Sequence, residues 1–386
     1  MIPVTRMATG RGTVSSRLKG LHGKRPSGFS SLLKPVVFWN ITRACNLKCI
    51  HCYISAGPQP DPNELSTYEA LRVASEIVEA GLPLVTLTGG EPLVRSDLWA
   101  IARRIALSGD IRLAISTNGT LISRGTASRL RKTGFSYVGI SLDSTRPEVH
   151  DAFRGMAGAF SRALRGARNA LEAGLDVGFR ITITRYNLED APRIVRLARE
   201  MGVPRVAIYL IDLLGRAGEN LLPSREELRA TVDRILDEAI SASDTTEVLI
   251  VRGNFAGIYL ADKLAKTREE FLELLSLLGS HGDCGRRSIS IYPDGTVRPC
   301  QFLEGVIVGD LRRESLETIL SPSNPRLKPF LEIGSMLSGS RCGKCPFKGV
   351  CGGGSRMRAL RVYGDFWGDD PLCFIDPWEI ASRWGL

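Results

Sequence analysis

Between about Val36 and Asp212, short runs of β-branched and aromatic residues alternate with longer stretches in which apolar positions recur every three or four residues. The short runs predict strands at 36–42 (VVFWNIT), 84–88 (LVTLT), 112–116 (RLAIS), 137–142 (YVGISL), 177–184 (VGFRITIT) and 205–211 (RVAIYLI). The longer stretches predict helices at about 67–80, 96–108, 123–133, 159–173 and 189–201. A further helix at 224–241 has an N-terminal capping signal in Ser224, Glu226 and Glu227. Six strand–helix units in alternation imply parallel strands with right-handed crossovers. An open doubly wound sheet and a full or partial barrel both satisfy this pattern. In either, ligands gather at the carboxyl ends of the strands. The pattern loosens over 246–281, which reads as a connector. From Gly282 onward it changes to short strands, many glycines and six of the nine cysteines, so a domain boundary is expected there.

Composition changes this picture at two places. The net charge is +10, and residues 1–34 hold seven basic side chains (Arg6, Arg11, Arg17, Lys19, Lys24, Arg25 and Lys34) and no acidic one. That segment reads as a flexible basic tail. No recognition helix or finger accompanies it, so no specific nucleic-acid site is expected. No apolar run is long enough for a membrane span, and the segment lacks the apolar core expected of a secretory signal. Nine cysteines fall in two groups, which points to metal binding and a reducing, cytoplasmic compartment more than to a disulfide framework.

The first group, Cys45-Asn-Leu-Lys-Cys49-Ile-His-Cys52-Tyr53, begins directly after the first strand. Three thiolates at this spacing can wrap one corner of an iron–sulfur cube and leave one iron open, as a catalytic site requires. A zinc site is the alternative; it would need a fourth ligand nearby, and His51, between two ligating cysteines, is expected to point away. At the next strand ends lie Gly89-Gly90-Glu91-Pro92, Ser116-Thr-Asn118 and Ser141-Leu-Asp143. Glycines there let the backbone approach a ligand, and short polar groups suit hydroxyls or a carboxylate, although each motif is also an ordinary turn. Arg180 and Thr182 interrupt an apolar strand with polar side chains, and Arg154 is a further cation for a carboxylate.

The Cys-x3-Cys-x2-Cys segment with its following aromatic resembles the radical S-adenosylmethionine (SAM) superfamily. The resemblance implies a [4Fe-4S] cluster on Cys45, Cys49 and Cys52, with SAM bound to the open iron and cleaved to a 5′-deoxyadenosyl radical that abstracts hydrogen from substrate. It implies that Tyr53, Gly89, Gly90, Glu91, Pro92, Ser116, Asn118, Ser141, Asp143, Arg154 and Arg180 surround SAM. It also chooses the fold: a partial (β/α)6 TIM-like barrel over 35–245, followed by a cysteine-rich iron–sulfur domain of the SPASM/twitch kind over 282–386.

In that C-terminal region Cys342-x2-Cys345-x5-Cys351 and Cys373 supply four thiolates, enough for a closed cluster or for zinc. Behind a radical SAM core they resemble an auxiliary [4Fe-4S] site. Cys284 and Cys300 frame an expected hairpin turning at Pro293-Asp-Gly295. The family's second auxiliary cluster would need a further cysteine where Ser355 stands, so one auxiliary cluster is expected. Cys284 and Cys300 then remain as plain thiols, a partial site helped by Ser355, or buried residues.

The stretches Val37-Phe-Trp-Asn40, Tyr137-Val-Gly-Ile-Ser-Leu-Asp143, His150-Asp-Ala-Phe-Arg-Gly155 and Asp370-Pro-Leu-Cys373 resemble the tetrapyrrole-modifying subgroup. Its members remove acetate or propionate arms from, or decarboxylate, iron tetrapyrroles. The activity implied is removal of acetate arms from 12,18-didecarboxysiroheme to give Fe-coproporphyrin III, with a reductase, ferredoxin or flavodoxin as electron donor. A flat macrocycle edged with carboxylates calls for aromatic walls and arginine clamps, for which Arg216, Arg252, Arg286, Arg287 and Arg298 are candidates; His281 is a candidate partner of the substrate iron. The alternatives are propionate removal as in the heme d1 pathway or decarboxylation of the heme b synthase type, then a peptide-modifying SPASM maturase, and more distantly a non-catalytic metal-binding protein.

Overall fold

The computed structural model describes residues 1–12, 34–278, 284–303 and 305–386. Its backbone is one eleven-stranded sheet. In chain order the strands are β1 (Ile2–Pro3), β2 (Val36–Thr42), β3 (Leu84–Gly89), β4 (Arg112–Thr117), β5 (Phe135–Ser141), β6 (Asp176–Ile183), β7 (Arg205–Leu210), β8 (Glu247–Val251), β9 (Ser288–Ile291), β10 (Thr296–Arg298) and β11 (Gly309–Asp310). Across the sheet the order is β1-β8-β7-β6-β5-β4-β3-β2-β9-β10-β11. From β2 to β8 each strand pairs parallel with the next one in sequence. A doubly wound sheet would reverse direction partway. Sequential order instead puts every right-handed crossover on the same face, which curls the sheet into an open barrel.

The six expected strands are all present, and the helices between them bury the apolar stripe that predicted them. Thr67–Glu79, for example, starts at a capping box formed by Ser66 and Glu69 and buries Ala70, Val73, Ala74 and Ile77. The helix Pro147–Arg154 was not expected; its proline opens the first turn, and His150, Phe153 and Arg154 are its buried side.

Two boundaries need correction. Over 246–278 the chain is no loose connector, because β8 adds a seventh parallel strand and the helices Asn254–Leu264 and Arg268–Ser276 follow it and pack on each other. The flexible tail over 1–34 does not hold for its beginning. Ile2 and Pro3 pair antiparallel with Ile250 and Leu249, and Thr5 Oγ1 accepts from Val248 N at 2.9 Å. Ile2, Val4 and Met7 are buried, so a few apolar residues anchor a stretch whose charge suggested solvent. Arg17, Lys19, Lys24 and Arg25 lie outside the described residues, as does His281.

The hairpin β9–β10 forms where Pro293-Asp-Gly295 turns, with Gly295 at φ 85°. It joins the barrel sheet directly, since β9 pairs parallel with β2. That junction carries the residues after β10 over the open end of the barrel.

Candidate functional site

The loop after β2 is folded tightly against its neighbours before any ligand is considered. Gly90 N donates to Thr42 O at 2.7 Å and Glu91 N to Ala44 O at 2.8 Å. A Cβ on Gly89 would stand 2.3 Å from Thr42 O, and one on Gly90 2.1 Å from Ala44 O. The paired glycines are therefore required by the approach of the cysteine loop itself. On its other side, Arg216 Nε donates to Cys49 O at 2.8 Å and Nη1 to Ala56 O at 2.7 Å. A Cβ on Gly215 would stand 2.3 Å from Cys52 O, so the loop after β7 also needs its glycine.

The result is a cavity of about 1000 Å³ at the carboxyl ends of the strands, open to solvent. It brings together Cys45, Cys49 and Cys52 with Tyr53, Gly89, Gly90, Ser116, Asn118, Ser141, Arg154, Arg180 and Thr182. Backbone and side-chain donors already point at the sulfurs: Leu47 N to Cys45 at 3.3 Å, Ala56 N to Cys52 at 3.3 Å and Arg154 Nη1 to Cys49 at 3.7 Å. Burial pushes the Cys45 thiol up to about 12 and raises that of Cys49, which Arg154 opposes. Iron binding must therefore displace protons here.

Three expected site residues are placed differently. Glu91 and Pro92 do not line the cavity. The Glu91 carboxylate is fully buried and accepts from Thr117 Oγ1 at 2.8 Å, Asn118 N at 2.8 Å and Leu93 N at 3.1 Å, tying β3's loop to β4's. Burial nevertheless raises its pKa to about 7 against the pull of those donors. Asp143 also lies behind the cavity wall. Its Oδ2 pairs with Arg154 Nη2 at 2.6 Å and lies 3.5 Å from His51 Nε2, while Oδ1 accepts from Thr182 N at 3.1 Å. Burial alone would raise the Asp143 carboxyl, but the charge of Arg154, with the Thr182 N–H, outweighs it and holds it low. His51 itself lines the cavity instead of pointing away, and burial lowers its pKa to about 4 despite Asp143, so its ring is neutral.

Of the candidate arginine clamps, Arg216 alone lines this cavity. Arg252 pairs with Asp212 at 2.5 Å, Arg298 lies 3.4 Å over the Tyr292 ring, Arg286 borders a separate surface groove, and the Arg287 carbonyl accepts from Val36 N. Thr88, Tyr209, Asp212, Gln301 and Phe302 line the cavity and were not singled out from the sequence. The strand-end rule covers Thr88, Tyr209 and Asp212. Gln301 and Phe302 arrive only through the pairing of β9 with β2, which no local pattern signals. The Phe302 ring lies 5.6 Å from Tyr53 and 6.2 Å from Tyr209, so three aromatic rings form one wall. Three buried guanidinium donors on cavity-lining residues, Arg154 Nε, Arg180 Nε and Arg216 Nη2, have no partner among the described residues.

The four C-terminal cysteines line a second cavity of about 440 Å³, with Phe255, Ile258 and Ile375. Burial pushes the Cys342 thiol up to about 11 and that of Cys373 to about 12, and raises that of Cys351 well above its ordinary value. Among the described residues no three His, Cys, Asp or Glu side chains converge on one ion-sized position. A cube, whose irons each take one thiolate, needs no such convergence, so this donor set fits it. Cys284 and Cys300 are joined as a disulfide, and Ser355 Oγ bonds to Arg252 and Asp212 instead of completing a metal site. Among the described residues no helix is long and apolar enough to cross a membrane.

Residues 39–198 match the Radical SAM superfamily model, and residues 283–346 match the SPASM iron–sulfur cluster-binding domain. These domains imply a SAM-binding [4Fe-4S] cluster, SAM, and auxiliary iron–sulfur binding. The chain is 40% identical over 366 residues to Fe-coproporphyrin III synthase of Methanosarcina barkeri, covering 92% of this chain and 91% of that protein. It is 33% identical to pre-heme d1 synthase of Dinoroseobacter shibae, covering 90% and 88% respectively. Streptococcus suis SuiB bound to S-adenosylmethionine shares the fold at a TM-score of 0.68 and 17% identity, over 89% of this chain and 78% of that one. The chain belongs to the radical SAM superfamily, in the group that includes Fe-coproporphyrin III synthase and pre-heme d1 synthase, and it carries a SPASM iron–sulfur domain.

Proposed function

We propose that this enzyme removes the two acetate arms of 12,18-didecarboxysiroheme to give Fe-coproporphyrin III. The observation that carries the reading is the make-up of the first cavity. Its wall of Tyr53, Tyr209 and Phe302 suits a flat macrocycle, and the guanidinium donors of Arg154, Arg180 and Arg216 that have no partner among the described residues suit carboxylate oxygens. The 40% identity to a protein named Fe-coproporphyrin III synthase supports the choice among tetrapyrroles.

The cluster and SAM, when bound, supply a 5′-deoxyadenosyl radical that takes a hydrogen atom from the substrate. Cys45, Cys49 and Cys52 hold that cluster. Gly89, Gly90, Ser116, Asn118 and Ser141 present backbone and short polar groups to SAM, and Arg154 places its guanidinium beside Cys49 while Asp143 fixes its orientation. Arg216 binds the cysteine loop with two nitrogens and offers the third to the substrate. Cys342, Cys345, Cys351 and Cys373 hold the auxiliary cluster, and a ferredoxin, flavodoxin or reductase supplies the electron.

The test is anaerobic incubation of the reconstituted, dithionite-reduced protein with SAM and 12,18-didecarboxysiroheme, read by mass spectrometry. Loss of two acetate arms with formation of 5′-deoxyadenosine is expected. Deoxyadenosine with an unchanged tetrapyrrole would move the assignment to another substrate.

A further inference from the structure

The two cavities are joined through buried polar side chains. Asp212, at the end of β7, lines the first cavity, and Asp370 lines the second. Arg358 is wholly buried between these carboxylates. Its Nε and Nη2 bind the two Asp370 oxygens at 2.9 and 2.7 Å, and its Nη1 pairs with Asp212 Oδ1 at 3.4 Å. The same guanidinium donates to Ile211 O at 2.9 Å and to Arg252 O at 2.7 Å, so all five N–H groups are engaged. Ser355 runs in parallel, its hydroxyl donating to Asp212 and its backbone N–H to Asp370 Oδ2 at 2.7 Å. Asp370 in turn holds the segment that carries Cys373: its carboxylate accepts from Leu372 N at 3.0 Å and its carbonyl from Cys373 N at 3.1 Å.

A buried chain of this kind is a poor source of stability. Apolar residues of the same volume would commonly serve as well, because desolvating the charges offsets most of their attraction. What the chain does provide is electrical and mechanical continuity through a region of low dielectric, where neighbouring charges are screened little. It spans the 211–370 region from the wall of one cavity to the ligand-bearing loop of the other.

We propose that the Asp212–Arg358–Asp370 chain couples the two sites, so that filling the first cavity changes the reduction potential of the cluster held at the second. By linkage the effect is reciprocal: reduction of the auxiliary cluster changes the affinity of the first cavity for its occupants by the same factor. Arg358 is thus a positioning residue whose role is to make the auxiliary cluster sense whether SAM and substrate are in place. The inference rests on the four C-terminal cysteines holding that cluster, and iron content together with an EPR signal lost in Cys351→Ala checks this separately.

The experiment is a redox titration of the full-length, reconstituted protein, following the auxiliary signal by EPR. It is run with the first cavity empty and then filled with S-adenosylhomocysteine and iron coproporphyrin III as uncleaved probes. A tenfold preference of the probes for one oxidation state appears as a shift of about 59 mV for a one-electron couple. A shift of at least that size is expected in the parent protein, and a preference of no more than about twofold in Asp212→Asn and in Arg358→Lys, with the iron content of both unchanged. The absence of a shift in the parent protein overturns the proposal, and so does a full shift surviving in both variants. If both variants lose the auxiliary iron, the chain is a scaffold and the proposal also falls.

Discussion

The two cysteine sites of this protein differ in ligand number, in surroundings and in reach. The first offers three thiols at the mouth of a cavity of about 1000 Å³, walled by arginines, hydroxyls and aromatic rings. The second offers four thiols in about 440 Å³, against Phe255, Ile258 and Ile375. A cube held by three cysteines keeps one iron for a ligand and needs room beside it; a cube held by four can exchange electrons only. On the function proposed above, SAM chemistry belongs to the first site and electron storage or transfer to the second. The sharpest way to break that division is to remove one thiol from each. Cys49→Ala should abolish 5′-deoxyadenosine formation down to the level of the iron-free protein while the auxiliary EPR signal persists. Cys351→Ala should lose the auxiliary iron yet still cleave SAM, without turnover of the tetrapyrrole. Deoxyadenosine vanishing equally in both variants would show that the sites do not divide the work this way.

Each site also has a buried carboxylate, and the two respond to pH in opposite senses. Glu91 forms no ion pair among the described residues, so burial outweighs its donors and the pull of Arg154, and its pKa rises from 4.5 to about 7. Asp370 is buried as deeply, but the bidentate contact with Arg358 outweighs burial and holds its carboxyl below the ordinary range. Between pH 4.5 and about 7 the folded protein holds a proton on Glu91 that the unfolded chain has released. Stability from this group therefore falls as pH rises through that window, by at most about 1.4 kcal/mol per unit. The Asp370 contribution is fully present there and is lost only as the pH drops below the usual carboxylate range. Denaturant titrations at several pH values should show parent protein losing ground to Glu91→Gln across the window. The difference between parent protein and Asp370→Asn should stay flat over the same range. A flat difference for Glu91→Gln as well would remove the contrast.

How far the sequence revealed these two sites follows from what kind of interaction built each part. The strands and their helices were legible because each follows from a local period, and the cysteine spacings because metal ligation is a local constraint. The role of Gly89 and Gly90 was legible in type but not in object: they yield to the backbone of the cysteine loop, which a sequence does not display. Asp143 and Glu91 read as ligand contacts because carboxylates at strand ends often are. Burial behind the wall, and the partners that hold them there, depend on packing between distant strands, the helix Pro147–Arg154 and the cysteine loop. The anchoring of Ile2, Val4 and Met7 was hidden by the basic residues around them. Gln301 and Phe302 reach the cavity through the pairing of β9 with β2, and Arg358 reaches Asp212 across 146 positions, beyond the reach of any periodicity.

The aromatic wall gives the smallest effect and the finest distinction between the cavities. Phe302 stands 5.6 Å from Tyr53 and under the Arg252 guanidinium at 5.0 Å, so its ring is held in place without substrate. Replacing it by leucine keeps most of its apolar volume and removes the π face, a loss of about 1 kcal/mol where an aromatic partner stacks on it. Phe302→Leu should therefore raise KM for the tetrapyrrole about fivefold and leave KM for SAM unchanged, because an interaction made equally in ground and transition states changes KM without changing kcat. Phe255 is the counterpart in the second cavity, where its ring meets Phe374 edge-on at 5.2 Å. Phe255→Leu removes an aromatic pair of similar strength, so it should lower stability by a comparable amount and leave the tetrapyrrole KM alone. If the two substitutions move KM equally, the ring at 302 contributes general packing, and the macrocycle does not lie against that wall.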